Sequence, residues 1–412
     1  MPSNKRYLIL TAALILSLAL GIIYAWSIFK EAIETSIKLK SEGGFDWDIS
    51  ALNDPYSVSV LVFSLTMIFA GKIQDKLGPR ITIYIGGILI SSGLFVMAYT
   101  TSYFLWIISF GVLAGSGIGF CYSAITPVVI KWFSPEKTGL VTGVVVAGFG
   151  LSSVYLAPLF TFLFDNYGFQ NAFVYYAVGF SIILFIAAYF LKNPENYLQT
   201  KENILSSGEN NYNLKDILKT FEFYRLWIVY FIGAGAGLMV ISFITEMVKK
   251  GLGKQAFWGV IIIAIGNAAG RILSGILSDK IGRIKTLIIF LFFQTILMFI
   301  SAFIINLDNI SIIITLLIAT FIGFNYGSNL TIFPTIVKDN WGMKNFGANY
   351  GILFTAWGIG GFVLSRISQM LKAQTNSLHW SFLLAGFLLI AALAIASAGS
   401  KRTQKNRNTY SK

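Results

Sequence analysis

The sequence has little charge, one cysteine and one histidine. Charged residues make up 12% of its 412 residues and hydrophobic ones 56%, whereas a soluble domain of that length needs far more polar surface. With Cys121 the sole cysteine, an intrachain disulfide and a cysteine metal cluster are both excluded. No nucleophile, metal or cofactor constellation stands out, so neither an enzyme nor a cofactor is expected. Acidic residues are few, 18 against 31 Lys and Arg, for a formal net charge of +13. The basic residues fall in short segments between apolar runs, which is the pattern of membrane orientation and not of nucleic-acid binding.

What is present is apolar sequence in long runs, with a mean hydropathy of +0.72. About twelve runs are long enough to cross roughly 30 Å of hydrocarbon. They lie near 8–29, 51–70, 80–99, 103–126, 139–163, 168–191, 225–247, 256–278, 284–305, 311–335, 347–371 and 378–398. Their length and continuity fit helices and not barrel strands, so the expected fold class is an all-α integral membrane protein of two six-helix halves. The first run follows Lys5 and Arg6 and lacks a small-residue cleavage site, so it reads as a retained span. The expected organisation is a bundle over 1–191, a polar central loop over 192–224, a second bundle over 225–400 and a basic tail over 401–412. About 22 Lys and Arg fall on the side of the termini and about seven on the other, which predicts cytoplasmic termini in a prokaryotic inner membrane.

Two turns repeat. GKIQDKLG (Gly71, Asp75, Gly78) follows the second span, and GILSDKIG (Gly275, Asp279, Gly282) follows the second span of the other half. Glycine lets helix ends approach closely, and the carboxylates are placed to cap a neighbouring helix or to pair with a cation. A parallel duplication of six helices is the layout of a secondary transporter.

The spans, the central loop and these two turns resemble the major facilitator superfamily. YAWSIF in the first span, NAAGRILSG in the eighth and NYGILFTAWG in the eleventh resemble its oxalate:formate antiporter and monocarboxylate transporter branch. The resemblance implies that Arg271 binds a carboxylate, with aromatic side chains of the tenth and eleventh spans around it. The residues point the same way. Arg271 stands about 15 residues from the outer end of its span, too deep for its stem to reach water, and its fork of donors matches a carboxylate. Asn267, on the same helix face one turn earlier, is a further substrate-binding candidate, placed to hydrogen-bond the second substrate oxygen or to orient the guanidinium. The alternative is a structural arginine held by backbone carbonyls and Asn267.

Relatives that transport oxalate carry a lysine where this chain has Trp357. A single buried cation neutralises a monoanion but leaves half of a dianion desolvated and unpaired. The expected substrate is therefore a small monocarboxylate of lactate type. Tyr24, Tyr122, Tyr326, Phe354 and Trp357 are candidates to line its site; of these, Tyr122, Tyr326 and Phe354 match positions resembling cavity aromatics of lactate-type relatives. Glu246 and Asp54 are candidates to carry a co-transported proton, or are interfacial carboxylates. His379 and Arg366 read as interfacial. The Gly233, Gly235 and Gly237 series and GSGIGF (Gly115 to Phe120) read as close helix contacts. The expected partners are a monocarboxylate, a proton and the lipid bilayer, with the chain acting as a monomer. The rival functions are an obligate anion exchanger and a carboxylate sensor, the latter short of sequence for an output domain.

Overall fold

The computed structural model describes residues 3–40, 43–194, 211–252, 256–305 and 311–410, with the side chains at 3, 4, 240–252, 256–258, 260 and 399–410 outside that description. Every regular element among the described residues is helical. They are α1 (Ser3–Ala19), a 3-10 stretch (Leu20–Ala25), α2 (Trp26–Leu39), α3 (Asp54–Leu77), α4 (Pro79–Ala98), α5 (Tyr103–Trp106), a π-helical stretch (Ile107–Ala114), α6 (Gly115–Ile130), α7 (Thr138–Phe190), α8 (Leu214–Ile217), α9 (Phe221–Leu252), α10 (Ala256–Ile281), α11 (Arg283–Ile304), α12 (Ile312–Trp341), α13 (Phe346–Thr375) and α14 (His379–Tyr410), besides two short 3-10 turns. Among the described residues ten stretches are long and apolar enough to cross a membrane. One of them, Pro135–Phe190, is broken at Gly168, whose φ of 76° leaves helical geometry, and α9 is a further helix of 32 residues.

Helix ends follow the local chemistry. The first span runs past its apolar stretch to Leu39 because α2 is amphipathic there and Glu34 and Lys38 pair one turn apart at 2.6 Å. Gly78 and Gly282, the last residues of the two repeated turns, take φ of 85° and 96°, conformations that only glycine adopts without strain. Each releases the chain directly into the next helix. Of the polar central segment, 195–210 lie outside the described residues, and α8 follows them under an Asn213–Asp216 capping box.

The chain forms two compact units. The first comprises Met1–Phe133, Gly148–Glu209 and Lys344–Thr355; the second comprises Ser134–Ala147, Asn210–Met343 and Ala356–Lys412. Within the first, Asp75 accepts from the backbone N–H groups of Gly347 and Ala348, both at 3.1 Å, and so caps α13. Gly71 lies so close to that helix that a β-carbon on it would stand 2.1 Å from the Gly347 carbonyl oxygen. An aromatic core of Trp26, Phe29, Trp106, Phe110, Phe160 and Phe173 fills the same unit.

Within the second unit the arrangement repeats. Asp279 accepts from Gly139 N and Leu140 N at 2.8 and 2.9 Å and caps α7, while a β-carbon on Gly275 would lie 2.2 Å from the Gly139 carbonyl oxygen. Asp279 also pairs with Arg283, which reaches Asp339 at 3.0 Å. The glycine series on α9 makes close contacts, Gly235 against the Gly360 carbonyl and Gly237 against the Tyr326 ring. Gly71→Leu and Gly275→Leu should each force backbone apart and cost about 1–3 kcal/mol or more, and Asp75→Ala about 1 kcal/mol for the lost cap. Thermal unfolding in detergent reads all of these.

Candidate functional site

Arg271 is fully buried, near the middle of α10. Room for it comes from glycine. A β-carbon on Gly327 of α12 would meet Asn267 Oδ1 at 2.7 Å and the Arg271 stem at 3.1 Å, and one on Gly143 of α7 would meet the Arg271 carbonyl at 2.4 Å. On α10 itself, Gly266 and Gly270 let α12 approach at Thr320 and Phe324. The arginine therefore stands in a seam of closely packed helices.

Its guanidinium is held on two sides. Nε donates to Asn267 Oδ1 at 2.8 Å, and one terminal nitrogen donates to the Val146 carbonyl of α7. Both of these acceptors are neutral, and the two bonds orient the fork. Asn267 orients Arg271 as its position one turn earlier predicts. Val146, Gly143 and Gly327 were not readable as site residues: Val146 contributes only its backbone oxygen, and the glycines contribute space.

Two further predicted residues lie in the same unit. Trp357 Nε1 donates to the Tyr326 hydroxyl at 2.9 Å, with both side chains buried. The Tyr326 ring rests on Gly237. This phenol and indole thus hold each other in fixed orientation, a polar pair with large apolar faces.

The remaining predicted aromatics form a cluster in the first unit. The Tyr122 ring centroid lies 5.4 Å from that of Phe149 and 5.5 Å from those of Phe63 and Phe354. Tyr24 leans on Phe149 at 5.2 Å. Phe63 and Phe149 join these rings and carry no signal in sequence that separates them from ordinary packing. Asp54 starts α3, where a carboxylate suits the helix N-terminus, and accepts from the Tyr103 hydroxyl at 2.7 Å. The Glu246 side chain lies outside the described residues. Arg366 is exposed, and the His379 ring meets the Ala302 carbonyl at 2.6 Å.

The repeated turns allow the two units to be compared residue by residue. Arg271 and Asn267 precede Asp279 by eight and twelve residues; Met67 and Phe63 precede Asp75 by the same intervals. The helix contacts agree with this register, since a β-carbon on Gly351 would meet the Met67 carbonyl at 2.4 Å, as Gly143 meets that of Arg271. One unit thus carries a cation and its amide where the other carries a thioether and a phenyl ring.

The profile of the Major Facilitator Superfamily matches residues 6–365. The chain belongs to the Major Facilitator Superfamily. It is similar to the oxalate:formate antiporter of Oxalobacter formigenes, 25% identical over 362 residues and covering 86% of this chain and 81% of that protein. It is also similar to monocarboxylate transporter 13 of Rattus norvegicus, 24% identical over 342 residues and covering 82% and 77%. Among solved structures, the proton:xylose symporter XylE bound to 6-bromo-6-deoxy-D-glucose superposes with a TM-score of 0.71 over 96% of this chain and 95% of that one, at 15% identity, a likeness of fold. This member of the superfamily is a multi-pass membrane transporter.

The Arg271 geometry makes Asn267 a sensitive handle. Asn267→Asp should place a carboxylate on Arg271 permanently, keeping the melting temperature in detergent at or above that of the unmutated protein. Asn267→Leu should strip an acceptor from a buried cation and cost about 1.5–3 kcal/mol.

Proposed function

We propose that the protein is an alternating-access carrier of a small monocarboxylate of lactate type, moved together with a proton. The observation that carries this reading is the complete burial of Arg271 inside a span; Asn267 and the Val146 carbonyl are the holders that a structural arginine would also have, and here they fix the plane of the fork. A guanidinium so oriented suits two carboxylate oxygens. Trp357, standing where oxalate-transporting relatives carry lysine, supports one anionic charge and not two: it brings an apolar face, and its indole N–H is already given to Tyr326. The similarity to monocarboxylate transporter 13 supports the same substrate class.

Co-transport of a proton follows from the charge. Reorienting a buried cation in lipid costs electrostatic free energy that a bound monoanion lowers, and a proton taken up with the acid adds the driving force. Asp54 and Glu246 are the proposed relays, and the capped turns at Asp75 and Asp279 the proposed conformational latches. The positive-inside count supports cytoplasmic termini. A second reading, exchange of one organic anion for another, is favoured by the similarity to the oxalate:formate antiporter.

Reconstituted vesicles separate these readings. Labelled lactate should accumulate when an inward proton gradient is imposed, and Arg271→Ala should lower uptake by about two orders of magnitude or more, as loss of charge-assisted hydrogen bonds requires. Arg271→Lys should recover little, because an ammonium lacks the planar fork. Near-normal uptake by the alanine variant would refute the site. Indifference to the gradient, with rapid uptake into vesicles preloaded with carboxylate, would establish the exchanger instead. Trp357→Lys should weaken uptake of monoanions by placing a second charge in the site, read as a raised KM for lactate.

A further inference from the structure

The first span is not a continuous α-helix. Between α1 and α2 the chain winds as a 3-10 helix over Leu20–Ala25, and Gly21 leaves helical geometry with ψ of 17°. Tyr24 lies inside this stretch. A 3-10 helix advances about 20° more per residue than an α-helix, so from Leu20 to Tyr24 the side chain is swung by roughly 80° from the direction a straight helix would give it.

Three hydroxyl groups converge on the break. Ser152 Oγ shares its hydrogen between the Gly21 carbonyl at 3.1 Å and Phe149 O of its own helix at 2.8 Å, while the Tyr155 hydroxyl donates to Leu18 O at 3.1 Å and the Tyr176 hydroxyl to Ala19 O at 3.2 Å. In lipid, an irregular stretch of helix persists only where its carbonyls find donors, and side-chain hydroxyls commonly supply them. Gly21 admits the brace, for a β-carbon there would fall 1.7 Å from Ser152 Oγ. Phe149, the ring against Tyr24, stands one turn before Ser152 on α7, so one helix both holds the break and supports the side chain that the break directs. Immediately after the break, Trp26 packs on Phe110 of the π-helical stretch at 4.8 Å.

We propose that Ser152, Tyr155 and Tyr176 form a three-point brace that fixes the direction of Tyr24 and are therefore positioning residues for substrate binding. The proposal rests on the reading of Tyr24 as a substrate-binding side chain. None of the three touches the substrate in this account; they act through the backbone of the first span.

The test uses the full chain in vesicles and the KM for lactate of Ser152→Ala, Tyr155→Phe and Tyr176→Phe, each alone and combined with Tyr24→Phe. Each brace variant should raise KM by up to about tenfold, the worth of one hydrogen bond, at unchanged maximal rate and unchanged amount in the membrane. None should add to the loss already caused by Tyr24→Phe. Fully additive losses, or losses in maximal rate alone, would overturn the proposal. A second arm needs no substrate: with Cys121→Ala as background, Tyr24→Cys is labelled by a water-soluble maleimide, and removing all three hydroxyls should change the labelling rate by at least about threefold. An unchanged rate would overturn the brace. Absence of lactate uptake by the unmutated protein would count against the monocarboxylate reading instead, and the labelling result would then decide the brace.

Discussion

Burying the guanidinium of Arg271 obliges the surrounding helices to supply acceptors and space. The packing of its neighbours follows from that obligation. Asn267 sits one turn away to receive Nε, the start of α7 lies close enough at Gly143 for the Val146 carbonyl to receive a second donor, and Gly327 leaves room for the stem. Larger side chains at the two glycine positions would push the acceptors out of reach. Close packing and charge accommodation are here the same problem, solved by the same small residues.

The internal duplication separates what the two units share from where they differ. Both units use a glycine contact and an aspartate cap at the repeated turn, with nearly the same spacing and geometry. At the deeper positions they part company: Arg271 and Asn267 in one, Met67 and Phe63 in the other. Phe63 belongs to the aromatic cluster with Tyr122 and Phe354, whose rings lie 5.5 and 5.1 Å away. The same packing arrangement thus carries a guanidinium and its amide in one unit and an apolar, aromatic group in the other.

Much of this was legible in the sequence because membrane burial leaves few alternatives. The spans follow from apolar length, the capping by Asp75 and Asp279 from a carboxylate set beside glycine at a helix end, and the Asn267–Arg271 bond from spacing along one helix. The rest depended on contacts that no residue type announces. The Val146 acceptor is a backbone carbonyl. The extension of the first span to Leu39 depends on polar pairing outside the apolar run. The segments 134–147 and 344–355 pack with units other than those of their neighbours in sequence, which hydropathy cannot show. The 3-10 break before Trp26 lies within an uninterrupted apolar run and is held by hydroxyls more than a hundred residues away.

The central claim is that one buried guanidinium, oriented by an amide, selects an anion with a single charge. Competition measures it most directly: labelled lactate entering vesicles that hold the unmutated protein, challenged with unlabelled monocarboxylates and with oxalate at equal concentration. The account predicts that monocarboxylates displace the label and that oxalate does so far more weakly, because its second carboxylate would be buried without a cation. Displacement by oxalate at lower concentration than by lactate would contradict it.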